Sequence, residues 1–234
     1  MRILLIGPAK TGNVWVQKIL ESVYQLTVID PHLDTLEALE TYVREGSFKD
    51  QTIFICHLPP EKDLLKILGT LPVHLVTVVR SPYDMLVSSY YFIQNIRPET
   101  IQSEDISKKI IGKPIDDPAV FDFIEKGFHW PMQLALQWIK SGESSVVRYE
   151  RLHSQPLDEM RQLTDRIQPV DDQHLLKAIQ SCDATTLRKL SPALAKHIRS
   201  ATVGDWKNHL GEKHLALIKT CHADLITQLG YDVL

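Results

Sequence analysis

The chain has 234 residues, 44% of them hydrophobic and 24% charged, with a formal net charge of −3. That balance excludes wholesale disorder and fits a single domain over residues 1–234 that buries a core without disulfide or metal staples. It also excludes a global field for nucleic acid or anionic lipid, so any anionic ligand has to be held by a local cluster.

In chain order, short β-branched runs alternate with amphipathic segments, the pattern of βαβ units and a mostly parallel sheet. Strands are predicted at Arg2–Ile6, Leu26–Ile29, Thr52–Cys56 and His74–Val79, with a later one at Ser145–Arg148. Between them, Val16, Ile19, Leu20 and Val23 recur at helical spacing and form one apolar stripe. Leu36, Leu39 and Val43 form a second, and Leu64, Leu65 and Leu68 a third. Pro82 suits a first helical turn, so a helix is expected from there to about Ile96. From Arg97 to Pro118, three prolines and clustered Ser, Glu and Asp without a period predict a surface excursion. After Arg151 the chain reads as helical, ending in a helix near Glu212–Leu229 with Gly230 as its C-cap.

The first strand runs into Gly7-Pro8-Ala9-Lys10-Thr11-Gly12-Asn13. A glycine-bounded loop before a helix points successive N–H groups into one concavity, where an anion is stabilised. Gly7 and Gly12 have the spacing of a nucleotide-binding loop, but Asn13-Val14 follows them instead of Lys and a hydroxyl residue, so the usual Mg²⁺ ligand is missing. A dinucleotide site fits no better, because the GxGxxG pattern fails even though Asp30 stands where the ribose-binding acid would. A kinase would close its fourth strand on a metal-binding Asp; here His74–Val79 closes on Arg80, a cation suited to direct contact with an anion. Eight residues on, two turns into the next helix, Ser88 offers a hydroxyl to the same anion.

Taken together, these blocks resemble the sulfotransferases that use 3′-phosphoadenosine 5′-phosphosulfate (PAPS), in particular the soluble, cytosolic type. The family's Pro-Lys-Ser-Gly-Thr-Thr-Trp-like loop is matched by Lys10-Thr11-Gly12-Asn13-Val14-Trp15. Its Arg-Asn-Pro-x-Asp and Val-Ser-Tyr-Tyr signature is matched from Arg80 through Val87-Ser88 to Tyr90-Tyr91. The strand ending in His-Leu-Pro is matched by His57-Leu58-Pro59, and Tyr-Glu-Asp-Leu by Tyr149-Glu150-Arg151-Leu152. Gly204-Asp205-Trp206-Lys207-Asn208-His209 repeats the family's Gly-Asp-Trp-Lys-Asn-His.

The resemblance implies an α/β, P-loop-like three-layer fold: about five parallel strands flanked by helices, with a helical C-terminal part. It implies that Lys10, Thr11, Gly12, Asn13, Val14 and Trp15 cradle the 5′-phosphosulfate, with Lys10 on the leaving oxygen and Trp15 against adenine. Tyr149 is implied as a second adenine contact, and Arg80, Ser88 and Arg199 as the 3′-phosphate site. His57 is implied as the general base for a small-molecule hydroxyl or amine, a task that suits imidazole because its ordinary pKa is near neutrality. The expected co-substrate is PAPS and the product adenosine 3′,5′-bisphosphate (PAP), with no metal required. Residues 94–128 are expected to border the acceptor, with Phe121, Phe123, Phe128 and Trp130 either lining it or packing.

Several positions depart from the family pattern. Asn13 and Val14 replace two threonines, Ile55 stands where a lysine often precedes the histidine, and Ser200-Ala201 replace Lys-Gly after Arg199. Leu210-Gly211-Glu212 follows His209, so the family's dimer motif is absent and the oligomeric state stays open. A small-molecule kinase and a non-catalytic nucleotide-binding protein are the rival readings; the missing metal ligands oppose the first, and Lys10 with His57 the second. The longest clean apolar runs, Ile3–Ile6 and Phe54–Cys56, are too short to cross a bilayer, and the start does not read as a signal peptide. Cys56, Cys182 and Cys221 are widely spaced and odd in number, which favours a reducing, cytoplasmic setting.

Overall fold

The computed structural model describes residues 1–95, 105–190, 194–195 and 198–234. Short apolar runs build five strands: β1 (Arg2–Ile6), β2 (Thr27–Val28), β3 (Thr52–Cys56), β4 (Val73–Val79) and β5 (Ser145–Arg148). They form one sheet in the order β2-β3-β1-β4-β5. Every pairing is parallel, with Ile6 opposite Cys56, Leu5 opposite Val76, and Val79 opposite Arg148. The chain therefore starts in the middle of the sheet, crosses to the edge strand β2, returns inward to β3 beside β1, and then moves to the other side through β4 and β5. In such a sheet the crevice beyond the carboxyl ends of the central strands is the natural ligand site.

Side chains alternate across a strand, so β1 serves two cores at once. Ile3 and Leu5 face α1 (Asn13–Tyr24), whose stripe of Val16, Ile19, Leu20 and Val23 is buried against them. Met160 and Leu163 of α8 (Pro156–Ile167) and Leu175 and Ile179 of α9 (Asp172–Ser181) complete that core. Leu4, Ile6 and Phe54 face the other way, onto Leu39 of α2 (Leu36–Arg44), Leu64 and Leu68 of α3 (Lys62–Leu68), and Trp138 of α6 (His129–Ser141). A third core joins α4 (Pro82–Gln94), α5 (Pro118–Lys126) and α6 to the C-terminal helix, Glu212–Gln228. The short helices α7 (Tyr149–Ser154) and α10 (Ala184–Leu190) stand beside the crevice.

The expected boundaries differ in small ways. The second strand is two residues long rather than four, because the Leu26 amide caps α1 by donating to the Glu21 carbonyl (3.1 Å). The fourth begins one residue early, at Val73. Residues 96–104, part of the expected helix end and surface excursion, lie outside the described residues. Beyond them, Ile106–Ile110 forms a 3₁₀ turn whose Ile110 is fully buried, held by the Gln94 amide donating to the Ile110 carbonyl at 2.8 Å. The C-terminal helix ends as expected: Gly230 adopts φ 81°, and Tyr231 N–H closes on the Ile226 carbonyl (3.1 Å).

Candidate active site

The loop between β1 and α1 turns on residues at positive φ: Gly7 (144°), Lys10 (64°) and Gly12 (107°). A Cβ at Gly12 would lie 2.6 Å from the Tyr149 ring, so only glycine lets the loop pass that close. Thr11 and Asn13 hold the loop from inside. The Thr11 hydroxyl (3.1 Å) and the Asn13 amide (2.9 Å) both donate to the Pro8 carbonyl, and Thr11 lies within hydrogen-bond distance of the Asn13 oxygen (3.3 Å). Their side chains are thus engaged with the loop itself, which leaves the backbone amides at the start of α1 and Lys10 to face a ligand.

Three cations converge there. The Lys10 ammonium sits 4.1 Å from the centre of the Phe92 ring, and burial, then the nearby Arg80 and Arg199, hold its pKa down at about 8. Arg80, only 8% exposed, lies 4.2 Å over the Tyr149 ring and donates to the carbonyls of Lys10 (3.4 Å) and Thr202 (3.0 Å). Its Nε and the indole nitrogen of Trp15 are buried without a hydrogen-bond partner among the described residues. Two orphaned donors are what a cleft shaped for an acceptor-rich ligand should contain, since leaving them unmet costs about 1–3 kcal/mol each. Trp15 meets Tyr149 edge-to-face at 5.8 Å. Arg199 stacks on Tyr91 (4.5 Å) and pairs with Asp205. Burial pushes the Asp205 carboxyl up, but Arg199, Asn208 and His209 outweigh it and the net shift is downward.

On the other side of the loop, the His57 Nδ1 lies 2.6 Å from the Gly7 carbonyl oxygen. A carbonyl can only accept, so Nδ1 carries a proton, and in the neutral ring Nε2 is the nitrogen with the lone pair. This tautomer follows from the hydrogen bond alone.

Lys10, Gly12, Asn13, Val14, Trp15, His57, Arg80, Ser88, Tyr149 and Arg199 all line one cavity of about 1040 Å³. Thr11, 1% exposed, lies beneath the loop rather than in the lining. Asp183, just before α10, and Ala184 and Leu187 within it also line the cavity. Toward His57 the wall is made by Ile29, Asp30, Leu33, Asp34 and Ile55, from β3 and the loop after β2. None of the described residues in 94–128 lines this cavity. Phe123 and Phe128 are buried in the third core, Phe121 stacks on His214 at 4.6 Å, and Trp130 is 49% exposed.

Two residues to which the motifs gave no role stand against the segment that carries Arg199. Asp84, 1% exposed, accepts the amides of Gly204 (2.7 Å) and Trp206 (3.0 Å). Arg188 donates to the carbonyls of Ile198 (2.9 Å), Arg199 (2.9 Å) and Ser200 (3.2 Å). Asp84 was visible as a letter of the Arg80 motif; Arg188 left no signal, being one of many charges on a helical segment. Among the described residues, no group of three or more His, Cys, Asp or Glu is arranged to hold a metal ion.

Residues 1–230 match the family model described as the sulfotransferase domain. A search of curated proteins gives no significant match. Among solved structures, mouse sulfotransferase SULT7A1 complexed with PAP is similar with a TM-score of 0.72 at 16% identity, covering 98% of this chain and 88% of that one. Retinol dehydratase in complex with androsterone and the inactive cofactor PAP gives 0.67 at 11% identity, covering 97% and 81%. The same enzyme with retinol and PAP gives 0.66 at 12% identity, covering 97% and 82%. At such identities the likeness establishes the fold.

Proposed function

Because the chain belongs to the sulfotransferase domain family, we propose that it moves a sulfuryl group from PAPS to a hydroxyl or amine of a small-molecule acceptor. One observation carries this reading. Lys10, Arg80 and Arg199 share one end of the cavity, where burial first and the two guanidiniums second hold the Lys10 pKa down at about 8, and His57 lines the same cavity with its Nδ1 held by the Gly7 carbonyl. Crowded cations are costly alone and become favourable when an anion arrives between them. The two orphaned donors, Trp15 Nε1 and Arg80 Nε, fit a nucleotide rich in acceptors.

PAPS supplies the sulfuryl group and departs as PAP. His57 Nε2 takes the acceptor's proton while its oxygen or nitrogen forms the bond to sulfur. The bond from sulfur to the phosphate oxygen breaks with its electron pair going to that oxygen. Lys10, with the amides at the start of α1, faces that developing charge; preorganised donors of this kind supply much of an enzyme's rate acceleration. Gly7 couples the two roles, because its carbonyl orients His57 and it begins the loop that carries Lys10. Arg80, Ser88 and Arg199 are the 3′-phosphate ligands in this reading, and Trp15 and Tyr149 the adenine contacts. On the acceptor side, Asp30 and Asp34 repel polyanions and the apolar Ile29, Leu33 and Ile55 favour a small, uncharged or cationic molecule.

A thermal-shift titration tests the reading: PAP should raise the melting temperature at concentrations where ATP with Mg²⁺ and NAD do not. A shift with ATP and Mg²⁺ alone would replace it by a kinase reading.

A further inference from the structure

Residues 198–201 line the cavity, and the chain runs on without helix or strand until the 3₁₀ turn at Asp205–Asn208 begins. Backbone groups in such a stretch need partners from elsewhere. This one is held by charged side chains at three points. Arg188 grips three consecutive carbonyls at its start, Arg80 donates to Thr202 in its middle, and the buried Asp84 carboxylate accepts Gly204 and Trp206 amides at its end. Ala201 lies between the grips at φ 55°, a left-handed conformation that an alanine does not favour on its own. Asp84 also sits one helical turn before Ser88 on α4, so the strap is tied to the helix face that presents Ser88. Neither Arg188 nor Asp84 lines the cavity.

We infer that Arg188 and Asp84 are positioning residues: by clamping the 198–206 strap at both ends they place Arg199, and so set how strongly a 3′-phosphate is recognised. The inference rests on the proposed reading of Arg80, Ser88 and Arg199 as that phosphate's ligands. The geometry gives each clamp a distinct chemistry. A guanidinium spans three carbonyls where a lysine point charge cannot. A carboxylate accepts two amides where an asparagine has a single oxygen and adds an unmatched amino group.

The test is calorimetric binding of PAP and of adenosine 5′-monophosphate, which lacks the 3′-phosphate, to the full chain and to Arg188→Ala, Arg188→Lys and Asp84→Asn. Losing charged hydrogen bonds of this kind is expected to cut the preference for PAP by about tenfold or more. Binding of the monophosphate should stay within about twofold, and Arg188→Lys should fall between wild type and Arg188→Ala. At saturating PAPS, kcat should stay within about threefold, with the loss carried by KM for PAPS. An equal fall for both nucleotides, or none for either, overturns the inference. If Asp84→Asn does not fold, the two Arg188 variants decide alone. A wild type with no preference for PAP would sink the 3′-phosphate reading itself; a preference that survives in every variant sinks only the clamp.

Discussion

In the proposed reaction Lys10 and His57 divide the chemistry between two residues whose surroundings differ in kind. In the ligand-free protein Lys10 titrates near 8, because burial and then Arg80 and Arg199 disfavour its charge. A bound polyanion reverses that balance and raises the pKa, so nucleotide binding takes up a proton around pH 8. PAP affinity is therefore expected to be full below pH 8 and to fall as pH rises through it, by at most about tenfold per unit. Lys10→Met should flatten that dependence, which isothermal titrations at pH 7 and pH 9 measure directly. For folding the sign is opposite. The folded-state pKa lies below the ordinary 10.5, so the Lys10 penalty is fully present below pH 8 and is relieved as pH rises from about 8 toward 10.5. His57→Ala removes the base while leaving the cations in place; turnover should drop by about 10²–10⁴ and PAP affinity should stay within twofold. Equal losses of turnover and affinity would show that His57 shapes the nucleotide site rather than serving as base.

At the scale of elements, the loop between β1 and α1 is a joint packed against its neighbours. Gly12 touches Tyr149 where a methyl cannot fit, and Tyr149 in turn underlies Arg80 at 4.2 Å. Gly12→Ala should therefore cost about 1–3 kcal/mol of stability from strain at positive φ. It should also weaken PAP binding, because the displaced ring carries Arg80 with it; urea unfolding and a PAP titration read the two effects separately. The strands β1, β3 and β5 were legible to the residue because each is a short apolar run, β1 and β3 being followed by Gly-Pro and Pro-Pro breakers and β5 by the Tyr149–Leu152 block. The stretch at Ile106–Ile110 was not legible as a buried anchor. Its hold comes from Gln94 bonding to the Ile110 carbonyl and the Gly112 amide, contacts that leave no hydrophobic period.

Over the whole molecule, the core behind the sheet and the chemistry in front of it meet at Trp138. Its side chain is fully buried, and its indole donates to the Leu58 carbonyl at 2.9 Å, the residue after His57. Trp138→Ala should destabilise the fold by about 3–5 kcal/mol. A calorimetric scan should show a melting temperature lower by on the order of 10 °C. Activity of the fraction that stays folded should fall as well, since the support of the His57 turn is gone.

The amino-acid sequence by itself determined the α/β class, the five strands and the order of the motif blocks, because periodicity and turn chemistry act over a few residues. It also singled out Lys10, Arg80 and Arg199, which converge at the loop end of the cavity, since each stands in a motif; Lys18, which also lines the cavity, stands in none. The tertiary structure alone decided what those residues do to one another. Strand order brings Arg80 to Lys10 across 70 positions and Asp84 to Trp206 across 122. Such distant pairs leave no local pattern. The depressed Lys10 pKa, the fixed His57 tautomer and the Arg188 clamp exist only through space, where burial and close charge set their strength.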